Sequence, residues 1–143
     1  MPSAITRHLG DMLFETEING QRVVCDVTPA LGGKGRAGTP PDLFVVSIGA
    51  CVAAFAVNYC EKQGIDTSGM SVETQFEKAD NPTHLNDFRI HVRLPNGTCG
   101  ERLAAVQRVA DRCIIQETLS RVKAPENRVS DRDTLAAEVV APA

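Results

Sequence analysis

At 143 residues, with 43% apolar side chains and a net charge of −3, the chain has the size of one ordinary domain, expected to span residues 1–143. A chain of this length buries about 68–70% of its unfolded surface with neither metal nor staple. Acids and bases are interleaved without a basic stripe, and one Tyr with no Trp leaves few stacking platforms, which argues against nucleic acid as a partner. Five cysteines are an odd number, and the N-terminus has neither a basic start nor an apolar signal core, so the expectation is a reducing, cytoplasmic setting in which any disulfide is functional rather than structural.

Met12, Phe14, Thr16 and Ile18 alternate with Leu13, Glu15 and Glu17, Asn19-Gly20 supplies a tight turn, and Arg22 to Thr28 continues as a β-rich run. This pattern predicts an N-terminal β-hairpin. A glycine-rich loop (Gly32-Gly33-Lys34-Gly35-Arg36-Ala37-Gly38) leads to a strong helix start, with Thr39 as N-cap, Pro40 at the first helical position and Asp42 three after the cap. The helix is expected to reach Gln63, with Gly64 as terminator. Its uncharged run, Leu43 to Val57, is shorter than the roughly 20 apolar residues a bilayer crossing needs, so no membrane is implied. Apolar on every side and rich in small residues, it reads as a long helix enclosed by protein, more than one hairpin could cover.

Met70, Val72, Thr74 and Phe76 alternate, as do Phe88, Ile90, Val92 and Leu94, giving a second antiparallel hairpin around the polar loop Asp80 to Asn86. Thr98-x-x-Glu101 has the form of a capping box, and Leu103, Val106, Ala110 and Cys113 then recur at helical spacing. Either Arg128-Val129-Ser130 or Glu138-Val139-Val140 supplies a short C-terminal strand. The elements add up to an α+β fold without repeats or a visible linker.

Gly33-x-Gly35-x-x-Gly38 matches the letters of the dinucleotide fingerprint, but the helix cap follows the last glycine, and the later strands come as hairpins instead of strand-helix-strand units. His8, His84 and His91 are scattered, without the short spacings of metal ligands. Cys51 and Cys60, nine apart on one helix, are separated by about 13.5 Å of rise and cannot bridge. Cys25 and Cys99 have no evident partner. Cys51, in the apolar helix, and Cys113, closing the stripe of the second, admit two readings: an attacking and resolving thiol couple, or two small core hydrophobes. Because apolar surroundings make a thiol inert, a reactive Cys51 needs a cation from elsewhere, and Arg22 and Arg36 are the nearest in sequence.

Thr28-Pro29-Ala30-Leu31-Gly32-Gly33 through Thr39-Pro40-Pro41-Asp42-Leu43-Phe44, followed by Ser47-Ile48-Gly49-Ala50-Cys51, resembles the glycine loop and peroxidatic-cysteine helix of the OsmC/Ohr family of thiol-dependent hydroperoxide reductases. Cys113-Ile114-Ile115-Gln116-Glu117-Thr118-Leu119 is similar to that family's resolving-cysteine segment, and the resemblance runs from about Met12 to Val129. It implies an OsmC-like fold and an intertwined homodimer whose subunits build each active site together. It also implies attack of the Cys51 thiolate on an organic hydroperoxide, capture of the sulfenic acid by Cys113, and regeneration by a dithiol reductant of the lipoyl type, with no metal, flavin or haem cofactor. Family peroxidases use a glutamate ahead of the cysteine helix to orient a thiolate-stabilising arginine. Here Pro41 stands ten before Cys51, and Asp42 and Arg22 are the positional substitutes for that pair. Ile114 stands where a proline often follows the resolving cysteine, which places the chain nearer the broader OsmC-like group than the Ohr branch. The rival expectation is a non-enzymatic OsmC-like dimer that binds a small hydrophobic ligand or senses oxidants.

Overall fold

Alternation in the N-terminal segment does build antiparallel strands, but three of them. In the computed structural model, which describes residues 1–135, β1 (Ile5–Gly10), β2 (Leu13–Ile18) and β3 (Gln21–Cys25) form a meander in that order. The predicted hairpin is β2–β3, closed by Asn19 and Gly20 at φ 50° and 73°, the left-handed pair that a two-residue turn of this hand requires. Periodicity misses β1 because every one of its residues is exposed, so no buried face imposes an apolar alternation; pairing to β2, from Ile5↔Glu17 to Gly10↔Leu13, holds it in place.

The central helix α1 (Pro40–Lys62) starts as expected. The Thr39 hydroxyl accepts from the Asp42 N–H while the Asp42 carboxylate accepts from the Thr39 N–H at 2.8 Å, a reciprocal capping box. Its end is also local: Gln63 is the C-cap, and Gly64 takes φ 69°. Within the chain α1 buries one stripe at a spacing of four, Ile48, Val52, Ala56 and Cys60. Onto that stripe pack β4 (Ser71–Ala79), β5 (His84–Arg93), α2 (Leu103–Ala110) and α3 (Ile114–Leu119). β4 and β5 form the second hairpin, from Ser71↔Arg93 to Ala79↔His84, so its loop is shorter than the expected Asp80 to Asn86.

The segment after β5 departs from the single capped helix that its spacing suggests. Gly100 takes φ 54°, so no α-helix runs back through it to Thr98, and the Thr98 capping box does not form; a 3₁₀ turn, Gly100–Arg102, precedes α2 instead. The helix then stops after Ala110, and Cys113, in an extended conformation at ψ 148°, is the N-cap of α3 rather than the last residue of the α2 stripe. Arg128–Ser130 is irregular, and the other expected strand, Glu138–Val140, lies outside the described residues.

The chain leaves much of its apolar surface uncovered. The α1 face opposite the buried stripe is open, with Val46 62% exposed, so the expected enclosure is not completed within one chain. By length and composition α1 could cross a bilayer, its most apolar window having a mean hydropathy of 2.0; here one of its faces is covered by strands and short helices. Strands β1 to β3 pack chiefly on one another, and Ile5, Leu9, Ile18, Val23 and Val24 remain exposed. The accessible surface is 10,864 Å², against about 7,200 Å² for a compact monomer of this mass.

Candidate active site

The glycine loop is built around a carboxylate. Asp26, directly after β3, is the buried charged side chain of the described residues. It accepts from the backbone N–H groups of Val27 at 2.8 Å, Lys34 at 3.4 Å and Arg36 at 3.2 Å, and from Arg36 Nε at 2.7 Å. The Arg36 side chain, followed by the backbone N–H groups of Arg36 and Val27, holds the Asp26 carboxyl well below the usual carboxylate range against the opposing effect of burial. Gly33 is glycine for a steric reason: a Cβ there would lie 2.0 Å from the Val27 carbonyl oxygen and 2.7 Å from Asp26 Oδ1. The chain's own carboxylate thus takes the loop donors that a phosphate would need in a nucleotide site. Because the Asp26 N–H also donates to the Gly38 carbonyl at 3.2 Å, the same hub fixes the approach to α1.

About three turns into α1, Cys51 is half-buried and flanks the cluster of Val52, Ala110 and Cys113. The break between α2 and α3 turns Cys113 inward, where it is 0% exposed, in the cluster that Cys51 packs against. The Cys113 sulfur caps α3, accepting from the Gln116 N–H at 3.4 Å. Burial is the main influence pushing the Cys113 thiol above the ordinary range; the Gln116 N–H opposes it, and Cys51 adds to the rise. A cavity of about 270 Å³ lies between α1, β5 and α2; Val52 and Ala110 of the cysteine cluster, Ile90, Val92 and Val106 form its apolar wall, and His91, Gln107, Asp111 and Gln116, whose buried Oε1 has no partner, form its polar one, while neither sulfur lines it.

Asp42 and Arg22 are engaged elsewhere within the chain. The Asp42 carboxylate bonds the N–H and the hydroxyl of Thr39, which lower its pKa. Arg22 donates to Glu15 across the β2–β3 pair, and Arg36 is held by Asp26 and lies 3.6 Å from Asp11. Sequence reading missed two features here. One is Asp26, for which an acid just ahead of a glycine-rich loop was the available signal. The other is the proximity of Cys99 to Cys60 in a second cluster with Ile65 and Val106. Among the described residues no group of His, Cys, Asp and Glu side chains is arranged to hold a metal ion.

A family profile described as OsmC-like protein matches residues 33–125, which includes the glycine loop, both hairpin strands β4 and β5, and both Cys51 and Cys113. The chain belongs to the OsmC-like family. No curated protein sequence gives a match. Among solved structures, this OsmC-like chain is similar to a Psychrobacter arcticus 273-4 protein named for osmotic stress induction and a detoxification response, with 18% identity, TM-score 0.73, and coverage of 82% of this chain and 88% of that one. An OsmC-like protein of Mycoplasma pneumoniae has 16% identity and TM-score 0.69, with 85% and 89% covered. An organic hydroperoxide resistance protein OsmC of Legionella pneumophila has 20% identity and TM-score 0.61, with 83% and 88% covered. At these identities the likeness establishes the α+β fold.

Proposed function

We propose that this OsmC-like protein is a thiol-dependent peroxidase of the cytoplasm that reduces organic hydroperoxides to alcohols in oxidative-stress defence. The observation that carries the reading is that Cys51, half-buried on α1, packs against the cluster containing Cys113, which is fully buried at the N-cap of α3. The Cys51 thiolate attacks the distal peroxide oxygen: an S–O bond forms, the O–O bond breaks, and the alkoxide leaves and takes a proton to become the alcohol. The Cys113 sulfur then attacks the sulfenic acid, forming the S–S bond and releasing water. A small dithiol, of the lipoyl type, restores both thiols by exchange. Burial keeps Cys113 protonated and away from oxidant until Cys51 has reacted. The cavity that Val52 and Ala110 share with the cysteine cluster offers an apolar wall of Ile90, Val92 and Val106 to the organic part of a hydroperoxide, and the unpartnered Gln116 Oε1 offers an acceptor for its O–H.

The working unit is a homodimer. An apolar helix with one open face and an uncovered three-stranded sheet in the same chain are the surfaces that a second copy would bury. Within the chain Asp42 and Arg22 meet Thr39 and Glu15, so a thiolate-orienting role for either requires that it reach the site of the second copy. A folded, monodisperse monomer in light scattering at micromolar concentration contradicts this assembly.

The commitment of Asp42 to the helix cap favours a second reading, in which the same dimer binds a small hydrophobic molecule or senses oxidants without turnover. One assay separates the two: consumption of cumene hydroperoxide and of hydrogen peroxide with dihydrolipoamide as reductant. Catalytic turnover with preference for the organic peroxide supports the enzyme, and oxidation that stops at one equivalent per chain supports the sensor.

A further inference from the structure

Two of the cysteines outside the candidate active site share one place in the fold. Cys60 lies on the buried stripe of α1 and is 0% exposed, and Cys99, in the segment between β5 and α2, packs against the cluster that Cys60 forms with Ile65 and Val106. That segment is seated tightly on the residues that follow α1. A Cβ at Gly97 would lie 2.5 Å from the Asp66 carbonyl oxygen and 3.0 Å from Ile65 Cγ2, so only glycine permits the approach that brings Cys99 in. Burial, and after it the Cys99 thiol, push the Cys60 thiol up. A groove of about 380 Å³ lined by Val92, Leu94 and Leu103 opens onto Cys99. The arrangement repeats that of Cys51 and Cys113: one half-buried thiol that reagents can reach, and one buried thiol behind it.

We infer that Cys60 and Cys99 form a second redox-active dithiol, which closes into an intrachain disulfide under excess organic hydroperoxide and latches the 97–102 segment to the C-terminal end of α1. Cys99 attacks the distal oxygen of the hydroperoxide and becomes a sulfenic acid as the alcohol leaves. Cys60 then forms the S–S bond and water is released, so that two thiols are oxidised for one peroxide reduced. The Cys51–Cys113 pair does not exchange with it directly, because the two α1 cysteines are about 13.5 Å apart along the helix. Closing a loop of about 40 residues restricts the unfolded chain, so the oxidised protein gains thermal stability. The latch stands independently of the proposed peroxidase activity.

The test oxidises wild-type protein and the Cys51→Ser/Cys113→Ser variant with excess cumene hydroperoxide and, separately, with the dithiol oxidant diamide, followed by non-reducing peptide mapping. The expected result is a Cys60–Cys99 cross-linked peptide in both proteins and with both oxidants, with Tm raised by several degrees. Cys99→Ser should abolish the cross-link and the Tm rise while hydroperoxide turnover stays within about twofold of wild type. Should the double variant fail to fold, the wild-type map alone resolves the two bridges. Cys99 recovered as sulfinic acid while Cys60 remains a thiol, or either thiol bridged to a different cysteine, overturns the inference. Because diamide needs no peroxidase chemistry, loss of the Cys51–Cys113 reaction with the latch intact would count against the proposed function alone.

Discussion

At its middle, α1 brings Cys51 to the cluster that holds Cys113; nine residues on, it brings Cys60 towards Cys99 beneath a tightly seated glycine segment. The same residue type on the same helix meets different surroundings at the two places. At the first, a backbone N–H of a new helix is aimed at the buried sulfur, and an unpartnered amide oxygen lines a space that a substrate could fill. At the second, the 3₁₀ turn that follows Cys99 has no side-chain cap, and the close approach of Gly97 to Asp66 fixes position. A buried sulfur that accepts a helix N–H suits a resolving thiol, whereas a thiol held by close backbone packing suits a link. Two thiols in proximity are therefore not by themselves an active site.

The sharpest way to break this comparison is to remove one sulfur from each end. Cys51→Ser should reduce hydroperoxide turnover to background, since an alcohol cannot be carried to the sulfenic level. Cys60→Ser should keep turnover within about twofold per folded molecule, while losing about 1–3 kcal/mol of stability because a hydroxyl enters an apolar cluster. Steady-state assays with cumene hydroperoxide and chemical denaturation check the two halves, and equal loss of activity in both variants would erase the distinction.

The backbone approaches offer the next largest effect. Gly33→Ala forces a Cβ to 2.0 Å from a carbonyl oxygen, and Gly97→Ala forces one to 2.5 Å. Each should cost about 1–3 kcal/mol or more in denaturant unfolding. Gly33→Ala should also slow the reaction of Cys51, because it disturbs the loop that leads into α1. Gly97→Ala should slow disulfide formation between Cys60 and Cys99 and leave Cys51 unaffected.

A smaller effect is expected from pH. Asp26 has a folded-state pKa depressed chiefly by Arg36, so its contribution to stability is complete above the unfolded value of about 3.9 and is lost as pH falls below it towards the folded pKa. Asp26→Asn should therefore lower Tm by several degrees near neutrality, and the gap from wild type should narrow below about pH 4. Tm measured across the acid range tests this, and a gap that is constant with pH would show that the carboxylate's charge is not what holds the glycine loop.

What was legible in the sequence was what neighbours in sequence determine. The Thr39–Asp42 capping box, the Asn19-Gly20 turn and the alternation of Phe88, Ile90, Val92 and Leu94 all follow from local stereochemistry and appear in the structure. The position of Cys113 did not follow, because helical spacing continues past Ala110 although the helix does not; the reversal is set by contact with α1, some 60 residues away in sequence. The role of Asp26 was hard to read for a similar reason: apart from Val27 its donors lie eight to ten residues further on, and its one signal was its place just ahead of the glycine-rich loop. The second thiol pair joins residues 60 and 99, which no periodicity connects. An apolar helix that one chain could not enclose was readable from composition, and the open face of α1 agrees with it.

The central claim is that Cys51 attacks and Cys113 resolves, and the most direct measurement is non-reducing peptide mapping after one equivalent of cumene hydroperoxide per chain, without reductant. The account predicts a Cys51–Cys113 disulfide as the first product, formed before any change at Cys60 or Cys99. Cys51 recovered only as sulfinic or sulfonic acid, with Cys113 still a free thiol, would contradict it and leave Cys113 as a core residue.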